Sequence, residues 1–116
     1  MTNSIEIEIA KSFDRESKRL MKKYKSLKTE VTDLIKKMQA DPFQGADLGG
    51  GVRKIRLPIE SKGKGKRGGA RVITHTDIVL QLMSGKITML YIYEKSERST
   101  ISDKEIQKLL KEAGIK

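Results

Sequence analysis

The stretch Val52–Thr76, VRKIRLPIESKGKGKRGGARVITHT, predicts a strand, a glycine-rich cationic loop and a second strand. One acid, Glu60, stands among eight cations: Arg53, Lys54, Arg56, Lys62, Lys64, Lys66, Arg67 and Arg71. Packing so many like charges together costs a folded protein free energy through repulsion. A polyanionic partner offsets that repulsion, and a nucleic-acid backbone is the commonest partner with enough charge density. The stretch therefore predicts a basic surface for nucleic acid.

Composition restricts the class of protein further. The chain has 116 residues, 34% of them charged, and a formal net charge of +10, which favours anionic partners. The absence of cysteine excludes disulfides and thiolate metal sites, and a single histidine argues against a multi-histidine zinc site. No apolar run approaches the ~20 residues of a membrane helix, and the first residues lack a secretory signal pattern. We expect one soluble, cytoplasmic domain over residues 1–116, without metal or cofactor.

Hydrophobic periodicity predicts the order of the elements. They are a strand at Ile5–Ile9, a helix from Phe13 to about Tyr24, a helix over Leu27–Met38, a strand at about Val52–Ile59, a strand from about Ala70, a strand at Ile87–Tyr93 and a last helix opened by the capping box Ser102–Glu105. Phe43–Gly51 is predicted to be a loop and Ser84–Lys86 a hairpin turn. The β-α-α-β-β-β-α order fits an α+β fold with a mostly antiparallel sheet and its helices on one face.

Strand alternation places three cations on one side of this sheet. Lys54 and Arg56 are two residues apart, so their side chains project from the same face and Ile55 from the other. Arg71 stands early on the next strand, where hairpin-like pairing brings it near them. Such a patch can bind phosphate or neutralise the pentavalent centre of an RNA cleavage reaction. The plain alternative, a solvated sheet face with ordinary surface charge, stays open.

Other residues also admit both a functional and a structural interpretation. His75 shares a face with Arg71 and could act as a general base near neutral pH, or be a half-buried polar residue. Tyr91 and Tyr93, predicted to face away from Leu90, could stack on bases or belong to the core.

The loop Ser61–Gly69 alternates lysine with glycine, which lets backbone amides approach phosphate closely. Its match to the text GxGxxG is accidental, because a strand rather than a helix follows. Lys95 and Arg98 come directly after the last predicted strand, where they could line the same cleft as the cations of the earlier strands.

Four stretches carry a resemblance to a known family. They are Phe13-Asp14 leading into a lysine-rich helical hairpin with Tyr24, the strand Lys54–Leu57 (KIRL), the strand start Gly68–Thr74 (GGARVIT) and Tyr91–Glu97 (YIYEKSE). With the order of elements, they make the chain resemble the RelE/ParE superfamily of bacterial toxin–antitoxin toxins, in particular its RelE/HigB-like branch. The resemblance implies a small microbial RNase fold: a twisted antiparallel sheet with an N-terminal helical hairpin and a C-terminal helix.

The same resemblance implies an activity. RelE-like toxins enter the ribosomal A site and cut mRNA there, using basic residues rather than a metal to activate the 2′-hydroxyl and stabilise the transition state. By position, Lys54 and Arg56 match the lysine pair of a KIKL-type strand. Arg71 matches the arginine that opens the following strand, and Lys95 or Arg98 matches the basic cluster after the last strand.

The resemblance leaves the general base undecided. An arginine at position 56 is a poor base because it hardly deprotonates, and Ser102 stands where related enzymes often have a tyrosine or histidine. Lys54, whose cationic neighbours favour its uncharged form, is the first candidate and His75 the second. The remaining cations of the basic stretch are expected to bind RNA: Arg53, Lys62, Lys64, Lys66 and Arg67.

The sequence thus predicts the toxin of a type II toxin–antitoxin system, a ribosome-dependent mRNA endonuclease that inhibits translation. Its expected partners are the ribosome, with mRNA and ribosomal RNA, and a cognate antitoxin that is a small helix-turn-helix protein; no membrane partner is expected. Two alternatives stay open, a ParE-like inhibitor of DNA gyrase on the same fold and a non-catalytic nucleic-acid-binding module.

Overall fold

Three helices and a five-stranded sheet make up the part of the chain that the computed structural model describes, residues 4–62, 68–82 and 84–115. The elements are β1 (Ser4–Ile9), α1 (Lys11–Lys23), α2 (Leu27–Ala40), β2 (Ala46–Gly49), β3 (Val52–Leu57), β4 (Ala70–Val79), β5 (Ser84–Glu94) and α3 (Asp103–Glu112), with short 3₁₀ turns at Glu60–Lys62 and Leu80–Leu82. The predicted α+β class is confirmed. Within the described ranges, no helix is long and apolar enough to cross a bilayer.

α1 and α2 cover one face of the sheet. Their buried positions recur at intervals of three and four residues, as amphipathic helices require: Phe13, Ser17 and Leu20 on α1, and Leu27, Val31, Leu34 and Met38 on α2. Asp41 ends α2 in an extended conformation, because the residue before Pro42 avoids helical angles. The core under the two helices includes Ile55, Val72 and Ile92 from the three central strands.

α3 covers the opposite face, so the prediction that all helices lie on one face is wrong. The predicted capping box is present: the Ser102 hydroxyl accepts from the Glu105 N–H at 3.1 Å, and the Glu105 carboxylate accepts from the Ser102 N–H at 3.2 Å. The apolar stripe of the helix packs on the second core, which includes Val52, Ile73, Leu90 and Tyr93. A strand buried on both faces is a nearly continuous apolar run, as Ile87–Tyr93 (ITMLYIY) is, so the signal for this second layer is present in the sequence.

The strands lie in the order β1-β5-β4-β3-β2, and each neighbouring pair is antiparallel except β1 and β5. The sheet is therefore mixed. α1 and α2 connect β1 to β2 at the opposite edge of the sheet, and the chain then returns through β3 and β4 to β5, which lies beside β1. β2 lies inside the predicted loop Phe43–Gly51; its sequence ADLG has little strand propensity, and pairing with β3 forms it. The predicted turn at Ser84–Lys86 is also wrong, since these residues open β5 and pair with both β1 and β4.

A β-bulge in β5 changes which side chains face which core. Ile73 pairs with Tyr91 but Thr74 pairs with Met89, so Leu90 is an extra residue without a partner on β4. Leu90 therefore faces the α3 core together with Tyr91, and the prediction that it faces away is wrong. The Ser12 hydroxyl donates to the Leu90 carbonyl at 2.6 Å, which gives this carbonyl a partner on α1.

Candidate active site

Two arginines face each other across the central strands on the α3 side of the sheet. Arg56 on β3 lies directly opposite Arg71 on β4 in the antiparallel register, and Lys54 precedes Arg56 by two residues on the same face. Arg71 in turn pairs with Tyr93 on β5. Like charges directly opposite each other on neighbouring strands are destabilising. The placement of Arg56 directly opposite Arg71 therefore favours a ligand of negative charge between them.

These cations line an open cleft of about 470 Å³. The lining consists of Gln44, Gly45, Ala46, Lys54, Ile55, Arg56, Arg71 and Lys95. None of these lining residues is acidic, and none of the four cations forms an ion pair within the described ranges. Nor do three His, Asp or Glu side chains lie together anywhere in those ranges as a metal site requires. The cleft is suited to a polyanion such as a phosphodiester.

Arg71 is held in one orientation by the backbone. It is only 8% exposed, and its Nη1 donates to the carbonyl oxygens of Gly68 at 2.7 Å and Ala70 at 3.2 Å. A guanidinium has five N–H donors in a fixed fork, so donors remain for a ligand after these two bonds. On the rim of the cleft, Lys95 is exposed, and its backbone N–H donates to the Gly69 carbonyl at 3.0 Å. A buried guanidinium bonded to the backbone and an exposed ammonium thus line the same cleft.

Arg53 builds one wall of the cleft although its side chain lies on the other face of β3. Its guanidinium donates to the backbone carbonyls of residues 43–45 at 2.8–3.0 Å. Gly45 has a φ of +80°, and a Cβ at this position would lie 2.3 Å from the Lys54 carbonyl oxygen, so only glycine fits. These contacts hold the segment before β2 against the strand that carries Lys54.

Tyr93 lies beside Arg71 as a member of the core. It is 3% exposed, and its hydroxyl is buried with no hydrogen-bond partner in the described part of the chain. Burial raises the pKa of this hydroxyl, and the positive charges of Arg71 and Arg98 oppose that shift only in part. Tyr93 is therefore a core aromatic rather than a base-stacking surface, whereas Tyr91 is half-buried.

Comparison with known proteins identifies the kind of protein that has this cleft. A family profile described as the RelE toxin of the RelE / RelB toxin-antitoxin system matches residues 8–115, nearly the whole chain. The chain belongs to the RelE toxin family. A comparison with curated proteins finds no significant match.

Membership of the RelE family has two direct consequences. The chain is a toxin-type component of a toxin–antitoxin system, so an antitoxin is the partner that the family implies. Toxins of the RelE family are generally endoribonucleases, which agrees with a cationic cleft that has no acidic lining residue.

The structure of this RelE family member brings some of the predicted catalytic residues together and separates others. Four of them line the cleft: Lys54, Arg56, Arg71 and Lys95. His75 lies on the same face of β4 but four residues beyond Arg71, or ~13 Å along the strand. Its ring lies against Gly51, where a Cβ would come within 3.0 Å of His75 Nε2. Arg98 donates to both carboxylate oxygens of Glu105 at 2.7 and 2.8 Å, away from the cleft lining.

The cations predicted to bind RNA also differ in their placement. Arg53 contacts the backbone carbonyls described above, and Lys62 forms an ion pair with Glu94 at 3.0 Å. Lys64, Lys66 and Arg67 lie outside the described residues.

Sequence reasoning did not single out Glu94 or the wall at Gln44–Ala46. Glu94 is 1% exposed and contacts residues from α1 and from the turn Glu60–Lys62. Its burial had a signal in the sequence, since period-two alternation places Glu94 on the same covered face as Ile92. The wall had none, because it depends on the pairing of β2 with β3.

Proposed function

We propose that this RelE family toxin is an mRNA interferase, an endoribonuclease that cuts mRNA on the ribosome without a metal and so inhibits translation in the cytoplasm. The observation that carries the proposal is the convergence of four cations in one cleft without an acidic side chain. Preorganised positive charge aimed at the reacting phosphate stabilises the charge that develops on a phosphorane. The general endoribonuclease activity of the family supports the same class of reaction.

The proposed reaction is the attack of an RNA 2′-hydroxyl on the adjacent phosphorus. Lys54, in its uncharged amine form, accepts the proton of the hydroxyl as the O2′–P bond forms. Arg56 and Arg71, which face each other across the strands, bind the charged oxygens of the phosphorane. The P–O5′ bond then breaks and Lys95 donates a proton to the leaving oxygen. The products are a 2′,3′-cyclic phosphate and a 5′-hydroxyl end.

Geometry guides the choice between the competing candidates. Lys95 is preferred to Arg98 as proton donor because Arg98 Nη2 is bonded to both carboxylate oxygens of Glu105, and a guanidinium hardly releases a proton. Lys54 is preferred to His75 as base because Lys54 lines the cleft and His75 does not.

Replacing Arg71 by alanine tests the proposal. We expect Arg71→Ala to abolish growth arrest and to slow mRNA cleavage on the order of 10²- to 10³-fold, as loss of a preorganised donor does. Cleavage is measured by primer extension on mRNA from translating ribosomes. Arg15→Ala is the matched control, because it removes the same group from α1, where the side chain is 69% exposed, and it should stay active. Each variant must also fold and bind the antitoxin.

Three outcomes would contradict the proposal. Full toxicity of folded Arg71→Ala would show that the site assignment is wrong, and Arg56→Ala, at an exposed position, replaces it if the first variant does not fold. An SOS response with intact transcripts would indicate gyrase inhibition of the ParE type. RNA binding without any cleavage on translating ribosomes would indicate a non-catalytic binding module.

A further inference from the structure

A buried carboxylate lies behind the cleft, at the end of β5. Glu94 accepts from Lys23 at 3.0 Å through Oε1, and from Lys62 at 3.0 Å and Ser96 at 2.8 Å through Oε2. The Tyr24 hydroxyl donates to Oε2 as well. The four partners come from the end of α1, from the turn Glu60–Lys62 and from the residues just after β5. One side chain thus joins three segments that are distant in sequence.

A continuous path of contacts leads from this carboxylate to the cleft. The Lys62 ammonium lies against Gly68, where a Cβ would come within 3.2 Å of its Nζ. The same Cβ would be 3.4 Å from the Cβ of Lys95. The Gly68 carbonyl oxygen is the 2.7 Å acceptor of Arg71 Nη1. A shift of Lys62 therefore changes the position of the peptide group that orients the Arg71 guanidinium.

The position of Lys62 depends on Glu94. The Lys62 ammonium lies 3.0 Å from the buried Glu94 carboxylate, and its other side-chain partner, the Ser96 hydroxyl, is farther away at 3.4 Å. The Lys62 side chain is 19% exposed. Without the carboxylate, the ammonium would regain hydration by turning toward water, because a charged group is costly to keep away from both water and a counter-ion. Gly68 would then lose the group that packs against it.

We propose that Glu94 is a positioning residue of the cleft, which fixes the orientation of Arg71 through Lys62 and Gly68. The inference rests on the proposed function, because it assigns Arg71 to phosphate binding. Glu94 itself does not line the cleft, so it touches neither the scissile phosphate nor the reacting oxygens. Its effect should be on the rate of the chemical step rather than on the affinity for mRNA.

The decisive variants separate the two lysines that share Glu94. We expect Glu94→Gln and Lys62→Met each to lower kcat for mRNA cleavage on programmed ribosomes on the order of 10- to 100-fold, with KM nearly unchanged, since small misplacements of a catalytic group have effects of this size. The double variant should have the same kcat as the slower single variant, because Glu94 and Lys62 act through one path and their effects do not add. Lys23→Met is the matched control: it removes the other ammonium at the same 3.0 Å distance, outside the path, and should retain kcat.

Gly68→Ala tests the contact between Lys62 and Gly68 without removing a charge. Gly68 is not among the glycines with positive φ, so alanine is allowed, and its methyl group would press on the flexible end of Lys62. We expect the same fall in kcat as for Lys62→Met. This variant keeps the proposal testable if Glu94→Gln does not fold, which is checked by its Tm and by antitoxin binding.

The outcomes distinguish this inference from the proposed function. If Arg71→Ala is inactive while Glu94→Gln, Lys62→Met and Gly68→Ala keep wild-type kcat, Glu94 has no positioning role and the site assignment stands. If Lys62→Met raises KM at constant kcat, Lys62 binds RNA directly and the positioning path is wrong. If Arg71→Ala is as active as the wild type, the proposed function itself fails. A role of Glu94 in stability alone would lower Tm without changing kcat per folded molecule.

Discussion

The carboxylate of Glu94 is buried and nevertheless charged, because four hydrogen-bond donors stabilise its ionised form. Removal from water alone would raise the pKa of its carboxyl group, but hydrogen bonds from Tyr24, Ser96, Lys62 and Lys23 together outweigh burial and lower the pKa from 4.5 to about 2. The carboxylate therefore stays ionised throughout the physiological range. Since the pKa is lower in the folded protein than in the unfolded chain, ionisation of Glu94 stabilises the fold above about pH 4.5.

The pH dependence of stability tests this balance at a single residue. The contribution of Glu94 should be complete above about pH 5 and disappear as pH falls toward 2, and it amounts to about 3 kcal/mol, since each pKa unit corresponds to ~1.4 kcal/mol. The difference in free energy of unfolding between the wild type and Glu94→Gln should therefore shrink across this window. It is measured by urea denaturation at constant ionic strength. Glu6→Gln, at an exposed position of β1, is the control and should show no such trend. A constant difference down to pH 2 would contradict the assignment.

Single residues of the site differ in how far they could be predicted. Lys54 and Arg56 follow from strand alternation, which depends only on local geometry, and the structure places both in the cleft. The separation of His75 from Arg71 follows from distance along the strand, which a shared face does not reveal. The ion pair between Arg98 and Glu105 could not be predicted, because it depends on where α3 packs.

At the scale of elements, helices were easier to predict than strands. The apolar repeats of α1 and α2 and the capping box of α3 lie in contiguous sequence, so each helix could be placed within a few residues of its bounds. β2 and the first residues of β5 are strands because a neighbouring strand supplies their hydrogen bonds. The bulge at Leu90 likewise reflects the register with β4. These features are set by tertiary pairing, which local propensity does not encode.

The capping box of α3 allows a prediction for one element. Ser102→Ala removes the acceptor of the Glu105 N–H, and we expect the free energy of unfolding to fall by about 1 kcal/mol. Ser102→Thr keeps a hydroxyl and should recover most of the loss. Ser99→Ala, at an exposed position in the preceding turn, is the control and should be neutral. Chemical denaturation measures all three variants. Equal stability of Ser102→Ala and the wild type would show that the cap is not needed for α3 to dock.

At the scale of the whole molecule, no acidic side chain lines the cleft within the residues that the structure describes. The described ion pairs use carboxylates on β1, α1, α3 and the end of β5, for example those of Glu8, Glu16 and Glu105. With a net charge of +10, the protein as a whole attracts polyanions. The absence of acids among the cleft lining residues adds a local preference to this general attraction. The salt dependence of RNA binding can separate the local preference of the cleft from the general attraction. Each phosphate that a protein neutralises releases counter-ions, so the slope of log K against log salt concentration counts the phosphate contacts.

The salt dependence of RNA binding should therefore depend on the cleft more than on total charge. For a 2′-O-methylated single-stranded RNA, which cannot be cleaved by 2′-hydroxyl attack, the slope of log K against log salt concentration is about −0.7 per neutralised phosphate. Removing two cleft contacts in Lys54→Met/Lys95→Met should make the slope shallower by ~1.4. Lys36→Met/Lys37→Met removes the same charge from exposed positions of α2, across the sheet from the cleft, and should leave the slope unchanged. Fluorescence anisotropy over a range of KCl concentrations measures all three slopes. If both double variants change the slope equally, RNA binds the basic surface as a whole. Binding in the cleft predicts a change for Lys54→Met/Lys95→Met alone.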